Sequence, residues 1–248
     1  MMKKMFFCAA AIAAVFTSCS NEATLEPNMA SINLSITSND EMTVHTRATQ
    51  NANKSVWYAQ VGTESQIHVD QLVGKTYQPG EKTIKVSSHT NLDAALQANG
   101  GAGEAYYEAS QNVNLVAGIN NISFSCGTAK NSKVSVDWSR ATNVAVLSMT
   151  NVVAKQTGRT DYTFASTGTS AFFKTGENIK CTINYTYNGA NKTITKTITS
   201  PVAATEYKLV ISANTNGSIT TITITYDDAF TDGGTTSVTI DAATGAEA

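Results

Sequence analysis

Ile179-Lys180-Cys181-Thr182-Ile183-Asn184-Tyr185-Thr186-Tyr187, followed by Asn188-Gly189 and then by the stretch from Lys192 to Ile198, reads as two strands and the turn between them. Apolar and polar side chains alternate, and a strand is the conformation that sends every second residue to the same face. Asn-Gly suits the two positive-φ positions of a type I′ turn, whose twist matches that of the strands it joins. A second pair lies downstream, Tyr207 to Ile211 and Ile219 to Tyr226 around Asn216-Gly217, and Ser237 to Ile240 makes a last short strand. Upstream the same grammar recurs in Val134, Val136 and Trp138, in Val144 and Val146, in Met149 to Val152, in Tyr162 and Phe164, and in Ala171-Phe172-Phe173.

The first half of the chain follows suit. Ile32, Leu34 and Ile36 alternate with polar residues, and Asn39 to Lys54 is a polar, exposed loop. Strands are predicted over Val56 to Ala59, Gln66 to Val69 and Thr83 to Val86, the last introduced by the turn dipeptide Pro79-Gly80. Asn91 to Gln97, with Leu92 and Leu96 four apart, makes a helical turn that Asn99-Gly100-Gly101-Ala102-Gly103 stops. Val113 and Leu115, the turn Ala117-Gly118, and then Ile122, Phe124 and Cys126 predict a hairpin. Gly127 to Ser132, small and polar between two strand runs, is the expected boundary. The pattern therefore predicts an all-β chain of two tandem antiparallel β-sandwich domains, transthyretin- or immunoglobulin-like, over 31–127 and 128–248.

Composition agrees with strands and narrows the partners. Charged residues are 15% of the 248, against roughly 25% in soluble domains generally, and Thr, Ser and Asn fill the polar positions instead. The formal net charge is −2, and no Lys/Arg cluster with interleaved aromatics follows the first few residues, so no nucleic-acid partner is expected. No cofactor is expected either. Cys126 and Cys181 each fall in phase with core-facing neighbours, and both a bridge between them and two buried free thiols are open.

The N-terminus carries Lys3 and Lys4, then an apolar run from Phe6 to Phe16, the layout of a secretory signal and too short for a membrane span. Phe16-Thr17-Ser18-Cys19 resembles the lipobox of bacterial lipoprotein precursors. That resemblance implies cleavage after residue 18, diacylglycerol on Cys19, a membrane partner through that lipid, and a tether over 19–30. Ser20-Asn21-Glu22 resembles the surface-export signal of lipoproteins from Bacteroides-type bacteria, which implies the outer membrane and its outer face.

Ala105-Tyr106-Tyr107-Glu108, Val113 to Gly118, Phe124-Ser125-Cys126, Val134-Ser135-Val136-Asp137-Trp138, Tyr207-Lys208-Leu209 and Ile222 to Asp228 occur in that order. Their order resembles a family of secreted Bacteroides-type envelope lipoproteins that contain a domain of unknown function and are fimbrillin-like in style. The resemblance implies two sandwich domains in an envelope setting and supplies no reaction and no ligand. In fimbrillin-like pilins a precursor is cut after an arginine in the first domain, which removes the leading strand and opens a groove for a strand from another subunit. Arg47 stands where that cut would fall, the removed piece would hold Ile32, Leu34 and Ile36, and Val238 to Ile240 would be the donor; in the alternative, Arg47 sits in a polar loop and the first strand stays.

Enzymatic chemistry has few footholds. His45, His68 and His89 match no metal spacing and read as loop or strand-edge residues. Glu104, Glu108, Asp137 and Asp161 are the carboxylates a hydrolase would draw on. Asp227, Asp228 and Asp232 beside Gly233-Gly234 form a calcium candidate without EF-hand spacing. Trp57, Tyr106, Tyr107 and Trp138 would stack on a sugar if exposed, and strand aromatics are more often core. The expected function is a non-catalytic cell-surface lipoprotein, an adhesin or accessory protein with a protein or glycan ligand. The alternatives are a pilus subunit built by strand donation and, more distantly, an envelope hydrolase.

Overall fold

A computed structural model describes residues 28–39, 49–51, 57–141, 144–216, 219–228 and 236–244. Among the described residues sixteen strands run in chain order: β1 (Ala30–Asn39), β2 (Thr49–Asn51), β3 (Tyr58–Val61), β4 (Ile67–His68), β5 (Gly80–Ser87), β6 (Glu108–Leu115), β7 (Gly118–Cys126), β8 (Ser132–Asp137), β9 (Leu147–Lys155), β10 (Tyr162–Phe164), β11 (Thr169–Phe173), β12 (Ile179–Tyr187), β13 (Ala190–Ile198), β14 (Glu206–Asn216), β15 (Ile219–Asp228) and β16 (Thr236–Asp241). One short helix, α1 (Leu92–Gln97), is capped by the Asn91 side chain, which accepts from the Ala94 amide. Among the described residues no helix is long and apolar enough to cross a membrane.

The strands form four sheets in two sandwiches. The first pairs β2-β1-β7 with β4-β3-β5-β6, and the second pairs β10-β9-β12-β13 with β11-β8-β14-β15-β16. Each sandwich closes on its own apolar core. Ile32, Leu34, Trp57, Ile84, Leu115 and Phe124 belong to the first core, and Val136, Phe164, Ile183, Tyr185, Ile211 and Ile224 to the second. The β12–β13 hairpin forms as its pattern dictates: Ile179, Cys181, Ile183 and Tyr185 are fully buried, and Ile183 faces Ile194 across the ladder. Asn188 and Gly189 take φ of 49° and 77°, the two positive values a type I′ turn needs.

Besides β2, which falls inside the stretch read as a loop and pairs antiparallel with β1, two features depart from the sequence pattern. The segments on either side of Ala117-Gly118 are not partners, because β6 pairs antiparallel with β5 while β7 pairs parallel with β1. Two consecutive strands thus cross from one sheet to the other, and alternation cannot tell this from a hairpin. Second, Val144 and Val146 precede β9 and form no strand of their own. Both leading strands are parallel to a late strand of the same sandwich, β1 to β7 and β8 to β14.

A Cys126–Cys181 bridge does not form. Both thiols are free and buried, Cys126 in the first core and Cys181 in the second, so no backbone adjustment within one sandwich would bring them to bonding distance. Burial pushes the Cys126 thiol up to about 11 and the Cys181 thiol up to about 12. Thiolate is the reactive form, so both should be inert in the native protein. Iodoacetamide should add to neither under native conditions and to both in 6 M guanidinium, read by intact mass; native labelling of Cys181 would mean that the second core opens.

Candidate functional site

β1 alternates Ala30, Ile32, Leu34 and Ile36 with Ser31, Asn33, Ser35 and Thr37. The apolar row is at most 6% exposed and packs in one cluster with Trp57, Tyr77, Leu115, Ile122 and Phe124. The opposite row forms a polar ladder to β7. Asn33 Nδ2 donates to Asn121 Oδ1 at 2.9 Å, the Ser35 and Ser123 hydroxyls lie 2.7 Å apart, and Thr37 Oγ1 donates to the Phe124 carbonyl at 3.3 Å. Register runs unbroken from Ala30 opposite Gly118 to Ser38 opposite Cys126.

Partners in this ladder are nearly ninety residues apart in sequence, so no local turn holds β1. Its place is fixed by the core it fills. Burying Ile32, Leu34 and Ile36 contributes about 5–9 kcal/mol at the usual worth of such side chains, similar to the whole stability of a domain. A vacated groove would not persist empty. At one end, the Gly118 amide donates to the Met29 carbonyl at 2.9 Å, and Ala30 and Tyr77 exchange backbone hydrogen bonds of 2.9 and 2.8 Å. At the other end, β2 returns antiparallel, with Asn39 opposite Thr49. The connection between them, 40–48, contains Arg47 and lies outside the described residues, as does Cys19.

A second constellation joins the two sandwiches. Asn131 is fully buried; its Oδ1 accepts from the Tyr106 amide at 3.0 Å, its Nδ2 donates to the Glu104 carbonyl at 2.8 Å, and its own carbonyl accepts from Ala204 N at 3.0 Å. Arg159 donates through a terminal nitrogen to the Gly101 carbonyl, and its guanidinium lies 4.1 Å from the Phe173 ring centre. Burial lowers that guanidinium to about 10, so it stays charged at neutral pH. Lys174 Nζ meets Asp93 at 2.8 Å, and a cleft of about 380 Å³ opens between Asp93, Leu96, Gly101, Arg159 and Thr160. Nothing in the sequence marked Arg159 or Asn131, because their partners are backbone carbonyls and amides brought in from distant turns.

The four candidate carboxylates are each engaged by their own neighbours. Glu104 accepts from Asn99 Nδ2 at 2.9 Å and meets His89 Nε2 at 3.0 Å, while Asp161 pairs with Lys155 at 2.6 Å. Glu108 meets Lys85 and the Tyr106 hydroxyl, both at 2.6 Å. Burial alone would raise the Glu108 carboxyl, but those two partners outweigh it and hold it below its ordinary value. Asp137 is lowered by the Ser139 amide, with Thr167 adding a hydrogen bond at 3.0 Å. A general acid needs the opposite shift.

Trp57, Tyr106, Tyr107 and Trp138 are 6–8% exposed and packed inside, which removes them as a sugar-stacking surface. The His68 ring lies tilted against Tyr58 with ring centres 4.3 Å apart, and His45 lies outside the described residues. Asp227 and Asp228 end β15 opposite Lys208 and Tyr207 in backbone register; their side chains and Asp232 lie outside the described residues. Among the described residues no group of three His, Cys, Asp or Glu is placed to hold a metal.

No curated protein matches the chain. The chain is similar, at TM-scores below 0.5, to several solved structures. A candidate cell adhesion protein of Bacteroides fragilis is 8% identical with a TM-score of 0.43, and the match covers 82% of this chain and 99% of that one. A fimbrial assembly protein of Parabacteroides distasonis is 7% identical with a TM-score of 0.45, over 82% and 97%. A candidate cell adhesion protein of Bacteroides ovatus is 13% identical with a TM-score of 0.40, over 81% and 98%. Residues 28–242 match the model of a family described as a domain of unknown function, DUF4493, and the chain belongs to that family.

Proposed function

We propose that the chain is a non-catalytic lipoprotein of the bacterial outer membrane, held at the cell surface by lipid on Cys19 and presenting two sandwiches for adhesion or accessory binding. The observation that carries this is the join between signal and fold. The lipobox-like Phe16-Thr17-Ser18-Cys19 stands nine positions before Asn28, where the described fold begins and passes straight into a core strand. An acyl group at Cys19 would therefore hold the first sandwich close to the bilayer, and more than one acyl chain gives stable anchoring.

The placement of β1 favours a second reading, a pilus subunit matured by cleavage after Arg47. β1 is the leading strand, fills an apolar groove, and is followed by the connection that contains Arg47. Its loss would leave a groove of the kind that accepts a strand from another subunit.

The experiment is a C-terminally tagged chain in a Bacteroides-type host, with the mature N-terminus read by mass spectrometry and the tag by electron microscopy. The expected result is diacylated Cys19 and label confined to the membrane. A mature start at Ala48 with label along filaments would replace the first reading with the second.

A further inference from the structure

The turn between β6 and β7 is Val116-Ala117, and together with Ile119, the outward residue at the start of β7, it makes an apolar, exposed tip. Val116 is 58% and Ile119 68% exposed, and both belong to the few large apolar side chains left in water among the described residues. Turn tips are normally polar, since nothing packs over them. The bond from the Gly118 amide to the Met29 carbonyl puts this tip beside the point where the chain enters the fold. Pro79, exposed in the turn before β5, stands at the same end, because Gly80 is opposite Leu115 in the β5–β6 ladder. The seam to the second sandwich is at the other end of that ladder, near Ser87 and Glu108, about 23 Å away over eight-residue strands.

We propose that this apolar tip rests in the headgroup region of the membrane that holds the lipid anchor. The proposal deepens the anchored reading and rests on it. The nine residues from Cys19 to Asn28 span at most about 30 Å when fully extended, so the entry point cannot leave the bilayer surface by more than that, and the tip is the part of the fold beside it. Val116 and Ile119 would enter the interface as the apolar face of a surface-lying element does, to a depth of about 5–10 Å. Two contacts with the bilayer, acyl chains and tip, would orient the first sandwich upright and hold the second away from the surface.

The test uses the full acylated protein in phosphatidylethanolamine–phosphatidylglycerol vesicles containing brominated lipid, with Ile119→Trp read against Val202→Trp. Val202 is 56% exposed and lies near Ala204, which bonds Asn131 at the seam. Trp57 and Trp138 are buried and give the same background in both variants. The expected result is a blue shift and bromolipid quenching for Ile119→Trp and neither for Val202→Trp, with intact mass showing acyl groups on Cys19. Acylated protein in which both introduced indoles stay in water overturns the tip and leaves the anchor standing. A mature chain without acyl groups on Cys19 overturns both. Shielding of the Ile119→Trp indole without vesicles, growing with protein concentration, overturns the tip in favour of contact between copies.

Discussion

Leu34→Asp is expected to unfold the first sandwich and leave the second folded. Leu34 is 3% exposed at the middle of β1, with Ile32 and Ile36 on the same face. The substitution removes about 2–3 kcal/mol of apolar burial and places a carboxylate among Trp57, Leu115 and Phe124, where it must either ionise without a partner or take up a proton. Together these cost on the order of 5 kcal/mol, in the range that marks core disruption, against the roughly 5–15 kcal/mol that holds a domain together. Nothing local compensates, because β1 has no turn of its own tying it to β7. The second core shares no buried residue with the first, and the seam is a short set of polar contacts around Asn131 and Arg159 plus the half-buried Phe172. Hydrogen exchange should therefore show protection lost over β3, β5, β6 and β7 and kept over β12 to β15. Ser35→Asp, exposed on the opposite face of the same strand, should change stability by under ~1 kcal/mol. Loss of protection in both sandwiches at once with Leu34→Asp would show that the seam makes them one cooperative unit.

Strand content was readable wherever alternation coincided with a local turn. In β12–β13, inward Ile and Tyr, outward Thr and Lys, and Asn188-Gly189 all point to one register, and that register is the one formed. Where the partner of a strand is remote, alternation fixes which face is buried and leaves the neighbour open. Ile32, Leu34 and Ile36 announce their core face, but nothing in them indicates a parallel partner nearly ninety residues on, and the Ala117-Gly118 turn then reads as a hairpin that β7 does not complete. The seam was illegible for a related reason. Asn131 and Arg159 satisfy backbone groups of residues 101–106, and a backbone carbonyl carries no signature in the side-chain sequence. Buried thiols in phase with apolar neighbours told their own burial correctly; which core each one joins depends on the fold, and two separate cores forbid the bridge.

Cleavage after Arg47 followed by release of β1 is expected to abolish the first core, and a peptide of residues 28–39 is expected to restore it. Arg47 is the only Lys or Arg between Asn28 and Asn53, so an arginine-specific protease acting on an Arg140→Lys background should nick there in preference to Arg159, whose guanidinium is held by the Gly101 carbonyl and the Phe173 ring. The nicked chain should hold together, because the β1 ladder and its apolar row do not depend on the 40–48 connection. Moderate urea should then strip β1, with the loss of the roughly 5–9 kcal/mol assigned to its three large side chains. Returning the peptide at one hundred times its dissociation constant recovers about 2.7 kcal/mol by mass action, enough to appear as a clear rise in the thermal midpoint. A peptide of residues 236–241 should do far worse. β1 offers four inward apolar positions at alternate residues, Ala30, Ile32, Leu34 and Ile36, whereas 236–241 has two apolar residues in alternation, Val238 and Ile240, and in the intact chain it is already the edge partner of β15. Recovery by the 28–39 peptide alone fits a protein that keeps its first strand and stays on its anchor. Equal or better recovery by 236–241 would mean that the groove accepts the C-terminal strand of another copy, and the pilus-subunit reading would then take the lead.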